Sequence, residues 1–151
     1  RKPFRYFKRS TFELIMFFKK KENDMNGNFI KVAALLIHAA KIDQDYSENE
    51  EKIIIKALQE FGIDQDNIQQ IISEGKKIES NSNQILEFTK EVKKMNNDNK
   101  IKIVETLWRI IYSNKEADVY EASLMRRLAG LLYIDSKVMG DIKKKIIKEI
   151  E

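Results

Sequence analysis

Residues 32–64 read VAALLIHAAKIDQDYSENEEKIIIKALQEFGID, and residues 103–135 read IVETLWRIIYSNKEADVYEASLMRRLAGLLYID. The two stretches align without a gap at an offset of 71 positions. Leu36 then meets Leu107, Ile53 meets Leu124, Ile63 meets Ile134 and Asp64 meets Asp135. Each stretch has apolar residues at helical spacing on both sides of a short polar corner, the pattern of a helical hairpin. The corner repeats too: Asp43 stands seven residues before Glu50, and Asn114 seven before Glu121. Two such hairpins in one small domain predict a pseudo-twofold axis with the two acidic corners facing each other across it.

The rest of the chain extends the helical pattern outward from these hairpins. Phe29 to Ile42 reads as a helix with Val32, Leu35, Leu36 and Ala39 inward. After the turn Asp43–Tyr46, Ser47 opens a helix whose apolar side carries Ile53, Ile54, Ala57, Leu58 and Phe61. Gly62 ends it, where a left-handed backbone costs glycine little. Asp64 to Asp66 start a further helix with Ile68, Ile71 and Ile72, and Ser80–Asn83 break it. Ile85, Leu86, Phe88 and Val92 mark the next, closed by the loop Asn96–Asn99. Lys100 to Ser113 carries Val104, Leu107, Trp108 and Ile111. A helix from near Asp118 buries Leu124, Leu128, Leu131 and Leu132. The last, from Asp135 or Ser136, places Val138, Ile142, Ile146 and Ile147 inward. No strand-like alternation with turn signals around it is present. The expected fold is all-α: a single-domain bundle of seven to eight helices with an internal pseudo-twofold repeat. Residues 1–21 form a basic aromatic arm or extra helix, Asn23–Asn28 (NDMNGN) a loop with a turn or cap at Asn26-Gly27, and residues 29–151 the helical domain.

At 151 residues the chain can bury a sizeable core. It has no cysteine, which excludes disulfides, thiolate metal sites and cysteine nucleophiles. No apolar run approaches the ~18 residues of a membrane span. The expected place is the cytoplasm, extending to the inner face of the membrane if the arm binds there. Starting at Arg1, the chain reads as a processed or truncated form. The net charge of +4 hides an asymmetry. Residues 1–21 hold eight basic side chains and one acid, Glu13, whereas residues 22–151 hold 20 basic and 23 acidic ones.

The corners also carry a family likeness. A corner of the type A-D-G-x-[VI]-x-x-x-E, set between two helices and repeated, resembles the tellurite-resistance TerB-like domain. Here the copies are AKIDQDYSENEEKIIIKAL and LWRIIYSNKEADVYEASLMRRLAGLLYID. Leu107-Trp108 and the run Leu124 to Ala129 resemble the small stand-alone bacterial members. The resemblance spans Phe29 to Glu151. It implies an all-helical fold of about this size and a metal site built from the acidic turns. An association with tellurite resistance and stress responses is implied as well, and no established catalysis. Three features depart from the family pattern. Gln44 and Lys115 stand where Gly is usual, Asn114 replaces the acid of the second turn, and Lys115 adds a positive charge beside it.

Two explanations of the recurring acids stand side by side. In one, Asp43, Asp45, Glu50, Asn114 and Glu121 hold a hard divalent cation, Ca²⁺ or Mg²⁺, through oxygen ligands, with Asn114 giving a neutral carbonyl oxygen and Glu116 or Asp118 able to join. In the other, Ser47–Glu50 and Asp118–Glu121 are capping boxes that place each glutamate at the third helical position, near the positive end of the helix dipole. The two are compatible. An EF-hand fails, because its sixth position is Glu48 rather than Gly and its twelfth is Ile54 rather than Glu.

His38, the single histidine, aligns with Arg109 and reads as a structural side chain. No Ser/His/Asp spacing, G-x-S-x-G or Gly-rich phosphate loop occurs, so a hydrolase built on the carboxylates lacks a nucleophile and a base. The arm has three readings: a helix packed on the bundle, an anionic membrane surface bound by Phe rings and cations, and single-stranded nucleic acid. Of these, nucleic acid is not expected. The functional expectation is a non-enzymatic module acting through a protein partner, with a membrane-associated adaptor as alternative and self-association open.

Overall fold

The structure is a computed structural model that describes residues 2–42, 47–82, 85–114 and 119–151; for residues 2–10, 17–26, 114 and 119–121 it describes the backbone alone. Among the described residues the chain forms seven α-helices and one short 3₁₀ turn, with no strand. They are α1 (Lys2–Ala40), α2 (Glu48–Glu60), α3 (Gln65–Asn81), α4 (Leu86–Lys93), α5 (Asn97–Ile111), the 3₁₀ turn Tyr112–Asn114, α6 (Val119–Leu131) and α7 (Ser136–Ile150).

The repeat is present in the element boundaries. Ala40 ends α1 and Ile111 ends α5. Glu48–Glu60 corresponds to Val119–Leu131, and Gln65 opens α3 as Ser136 opens α7. Each pair stands 71 positions apart.

The helix ends repeat in atomic detail. In α2, Ile63 N–H donates to Leu58 O (3.3 Å) and Gly62 N–H to Gln59 O (2.9 Å). In α6, Ile134 N–H donates to Ala129 O (3.0 Å) and Tyr133 N–H to Gly130 O (3.3 Å). Both are Schellman caps, which satisfy otherwise orphaned carbonyls through one left-handed residue. That residue is Gly62 (φ 86°) in the first copy and Tyr133 (φ 57°) in the second. Asp64 and Asp135 then occupy the N-cap positions of α3 and α7.

One expected loop is absent. Asn23–Asn28 lies inside α1, which runs unbroken from Lys2 to Ala40. Gly and Asn cost a helix interior only about 0.7–1 kcal/mol each, and neither forbids helix. The one proline, Pro3, sits in the first turn, where its missing N–H has no partner to lose.

The core forms around the second half of α1. Val32, Ala33, Ala34, Leu35, Leu36, Ile37, Ala39 and Ala40 are all buried, so the helix is enclosed on every side over this span rather than along one face. Small side chains let neighbours come close. An added Cβ on Gly75 of α3 would lie 3.1 Å from Ala33 Cβ and 3.2 Å from Ala34 N. α5 is the second buried helix, with Ile103, Val104, Leu107, Ile110 and Ile111 in the same core. Each fully buried side chain of this size contributes roughly 1.5–3 kcal/mol. Leu86 and Val138, expected inward, are exposed; Ile85 is buried as expected, and Met139 is buried in place of Val138. In a helix a shift of one residue turns a side chain by about 100°, enough to exchange neighbours.

Candidate functional site

The two corners join the C-terminal ends of α1 and α5 to the N-terminal ends of α2 and α6. Asp43 and Asp45 lie outside the described residues, as do Glu116 and Asp118. Asn114 closes the 3₁₀ turn, and Glu121 is the third residue of α6, as Glu50 is the third of α2. Of the five candidate ligands, Glu50 is the one whose side chain is described.

Glu50 is 2 % exposed. Its backbone N–H donates to Ser47 Oγ (3.3 Å), and Ser47 Oγ donates to Glu50 Oε1 (3.1 Å). The capping arrangement expected at Ser47 is therefore present in its first half. The carboxylate, though, turns to the serine hydroxyl within a buried setting. A charged group taken out of solvent is costly unless hydrogen bonds or an opposite charge compensate it. Glu48 and Glu51 share the same first turn. This concentrates negative charge at the N-terminus of α2, where the helix dipole favours it.

Both corners carry a basic side chain one turn upstream, held by the helix that follows its own hairpin. In the first copy His38 Nδ1 lies 3.3 Å from Glu79 Oε1, and Lys41 Nζ donates to Glu79 Oε2 at 2.8 Å. In the second, Arg109 makes a two-pronged contact with Glu149, Nε to Oε2 at 2.7 Å and a terminal nitrogen to Oε1 at 3.0 Å. This fork holds the Glu149 carboxyl below the usual carboxylate range and raises Arg109. Lys145 joins through Glu105 at 3.1 Å. His38 thus makes a long-range side-chain contact at the position that aligns with Arg109. Glu79 and Glu149 were missed by sequence reading. They lie about 40 residues from their partners, and nothing local marks them.

A shallow cleft of about 170 Å³ opens between α2, α5 and α7, lined by Ile53, Lys56, Ala57, Glu60, Thr106, Arg109 and Glu149. Arg109 and Glu149 are engaged with each other there, and the Thr106 hydroxyl donates to Lys102 O at 2.8 Å. A hydroxyl bonded back into its own helix is no nucleophile beside a base. Among the described residues no group of three or more His, Asp or Glu side chains comes together. The cation reading therefore concerns the corners alone. Their donor set is all oxygen, with no thiolate, which suits Ca²⁺ or Mg²⁺ over zinc.

Among the described residues no helix is long and apolar enough to cross a membrane. No curated protein and no solved structure matches the chain. The profile of the family described as "Tellurite resistance protein TerB" matches residues 29–144. That span takes in the core half of α1, both corners and both hairpins. The chain belongs to the TerB family.

Proposed function

We propose that this chain is a non-enzymatic TerB module. Its two helix corners share one divalent cation, Ca²⁺ or Mg²⁺, and it works through a protein partner in a tellurite- or stress-linked response. The residues that would hold the ion are Asp43, Asp45 and Glu50 of the first corner with Asn114 and Glu121 of the second. The observation that carries the reading is the burial of Glu50 at the N-terminus of α2. A bound cation would add an opposite charge beside that carboxylate and tie the two hairpins together. The second corner contributes less charge, because Asn114 is neutral and Lys115 is positive.

Thermal melting with added CaCl₂ or MgCl₂ tests the proposal. A ligand that binds only the folded state raises stability with concentration, by about 2.7 kcal/mol at a hundredfold excess over Kd. The wild type is expected to gain several degrees and Glu50→Gln little or none. Equal responses of the two proteins would reject the site.

A further inference from the structure

We propose that the N-terminal half of α1 is an interfacial helix that docks on an anionic phospholipid surface. The inference starts from the absence of the expected loop. Because α1 is one helix from Lys2 to Ala40, the positions of its first half share a single register. Phe4, Phe7, Thr11, Leu14, Ile15 and Phe18 then fall at three- and four-residue steps along one side. Lys2, Arg5, Arg9 and Lys20 fall on the other side, which also carries Tyr6, Phe12, Met16 and Phe17. Thr11 to Met16 are all exposed; Phe12, Leu14, Ile15 and Met16 are 65, 55, 50 and 52 % exposed. Among the described side chains of α1, burial begins at Phe29. Large apolar side chains adjacent on one exposed helical turn call for a covering surface.

Charge decides which surface. Eight cations and one acid occupy residues 1–21. A second copy of the same segment would set cation against cation: Lys8 and Lys21 flank the apolar stripe, and Glu13 lies on the far side of the helix. An anionic bilayer resolves both demands. Phe, Leu and Ile enter the headgroup boundary while Lys and Arg meet lipid phosphates. The uninterrupted apolar run, Leu14–Phe18, is too short to span, so the helix lies in the interface. The remaining chain, with slightly more acids than bases, adds no attraction. Since the docked segment and the core helix are one rod, binding would hold the bundle at the membrane surface.

Sedimentation of the full chain with vesicles tests this. Run in EDTA, the assay does not depend on the cation reading. Wild type is expected to bind phosphatidylcholine vesicles containing phosphatidylserine at least about tenfold better than phosphatidylcholine alone, with binding weakened by salt. The double variant Leu14→Glu/Ile15→Glu and the triple variant Lys19→Gln/Lys20→Gln/Lys21→Gln are each expected to lose about tenfold or more. Thermal melts of both variants are expected to match wild type, because Leu14 and Ile15 are exposed and glutamine replaces lysine at little cost in helix propensity. Absence of wild-type binding, equal binding to neutral vesicles, or undiminished binding by either variant would overturn the proposal. So would a wild-type dimer abolished by Leu14→Glu/Ile15→Glu without vesicle binding, which would identify a second copy as the partner.

Discussion

The two hairpins share their boundaries and differ in how tightly they close. In the first, α3 approaches α1 through Gly75, where an added Cβ would meet Ala33 and the backbone of Ala34 and Ile30. In the second, the equivalent position on α7 is Ile146, fully buried. One copy closes backbone against backbone, and the other buries a branched side chain at the matching position. The corners differ in the same spirit. The first is acidic and pairs His38 and Lys41 with a single carboxylate, Glu79. The second replaces an acid by Asn114 and locks Arg109 onto Glu149. A duplicated frame has therefore been kept while its two halves took different ways of packing and different charge.

That contrast can be broken at chosen points. The largest effect is expected from Ile146→Ala, which empties a fully buried site in the second copy and should cost about 3 kcal/mol in urea unfolding. Gly75→Ala acts in the opposite sense. It pushes α3 off α1 by a few tenths of an ångström and should cost about 2 kcal/mol, chiefly because two of the three atoms it meets are backbone.

The caps give the next comparison. Gly62→Ala forces a side chain into a left-handed residue and should cost about 1 kcal/mol. The second copy already bears a side chain there, so Tyr133→Gly should instead raise Tm by about 2 °C. Tyr133 is exposed, and its hydroxyl accepts from Lys93 Nζ at 3.0 Å, a surface contact whose loss should matter little.

The smallest effect is electrostatic. The Arg109 hydrogen bond lowers the Glu149 pKa, so its stabilisation is complete above the ordinary carboxylate range near 4.3 and fades as pH falls through the lower folded value. Glu149 is half exposed, which keeps the effect below about 1 kcal/mol. The stability difference between wild type and Glu149→Gln should shrink as pH drops from 6 towards 3 in a pH-melt series. A difference that stays constant would assign the pair's effect to packing.

Much of the frame could be read from the chain. The 71-residue offset locates both hairpins, and Gly62 and the Asp64/Asp135 pair mark where helices stop and start, because caps depend on local chemistry. The continuity of α1 could not be read, since Asn-Gly serves equally in a turn or a helix and the helix on either side decides. The closeness at Gly75 was likewise hidden, because a glycine in a helical pattern does not announce what approaches it. The pairs His38–Glu79 and Arg109–Glu149 join residues about 40 apart, a separation periodicity does not report. For the candidate site, the sequence supplied five residues and a reason for each. The structure adds the burial of Glu50 and its bond to Ser47, while Asp43 and Asp45 lie outside the described residues.

The central claim is that a repeated frame brings two corners onto one ion. A crystal soaked in MnCl₂ and measured for anomalous scattering addresses it directly. The account predicts one peak between residues 43–50 and 114–121, with oxygen ligands from both corners at about 2.2 Å. A peak held by one corner alone, or none there while manganese binds elsewhere, would contradict it.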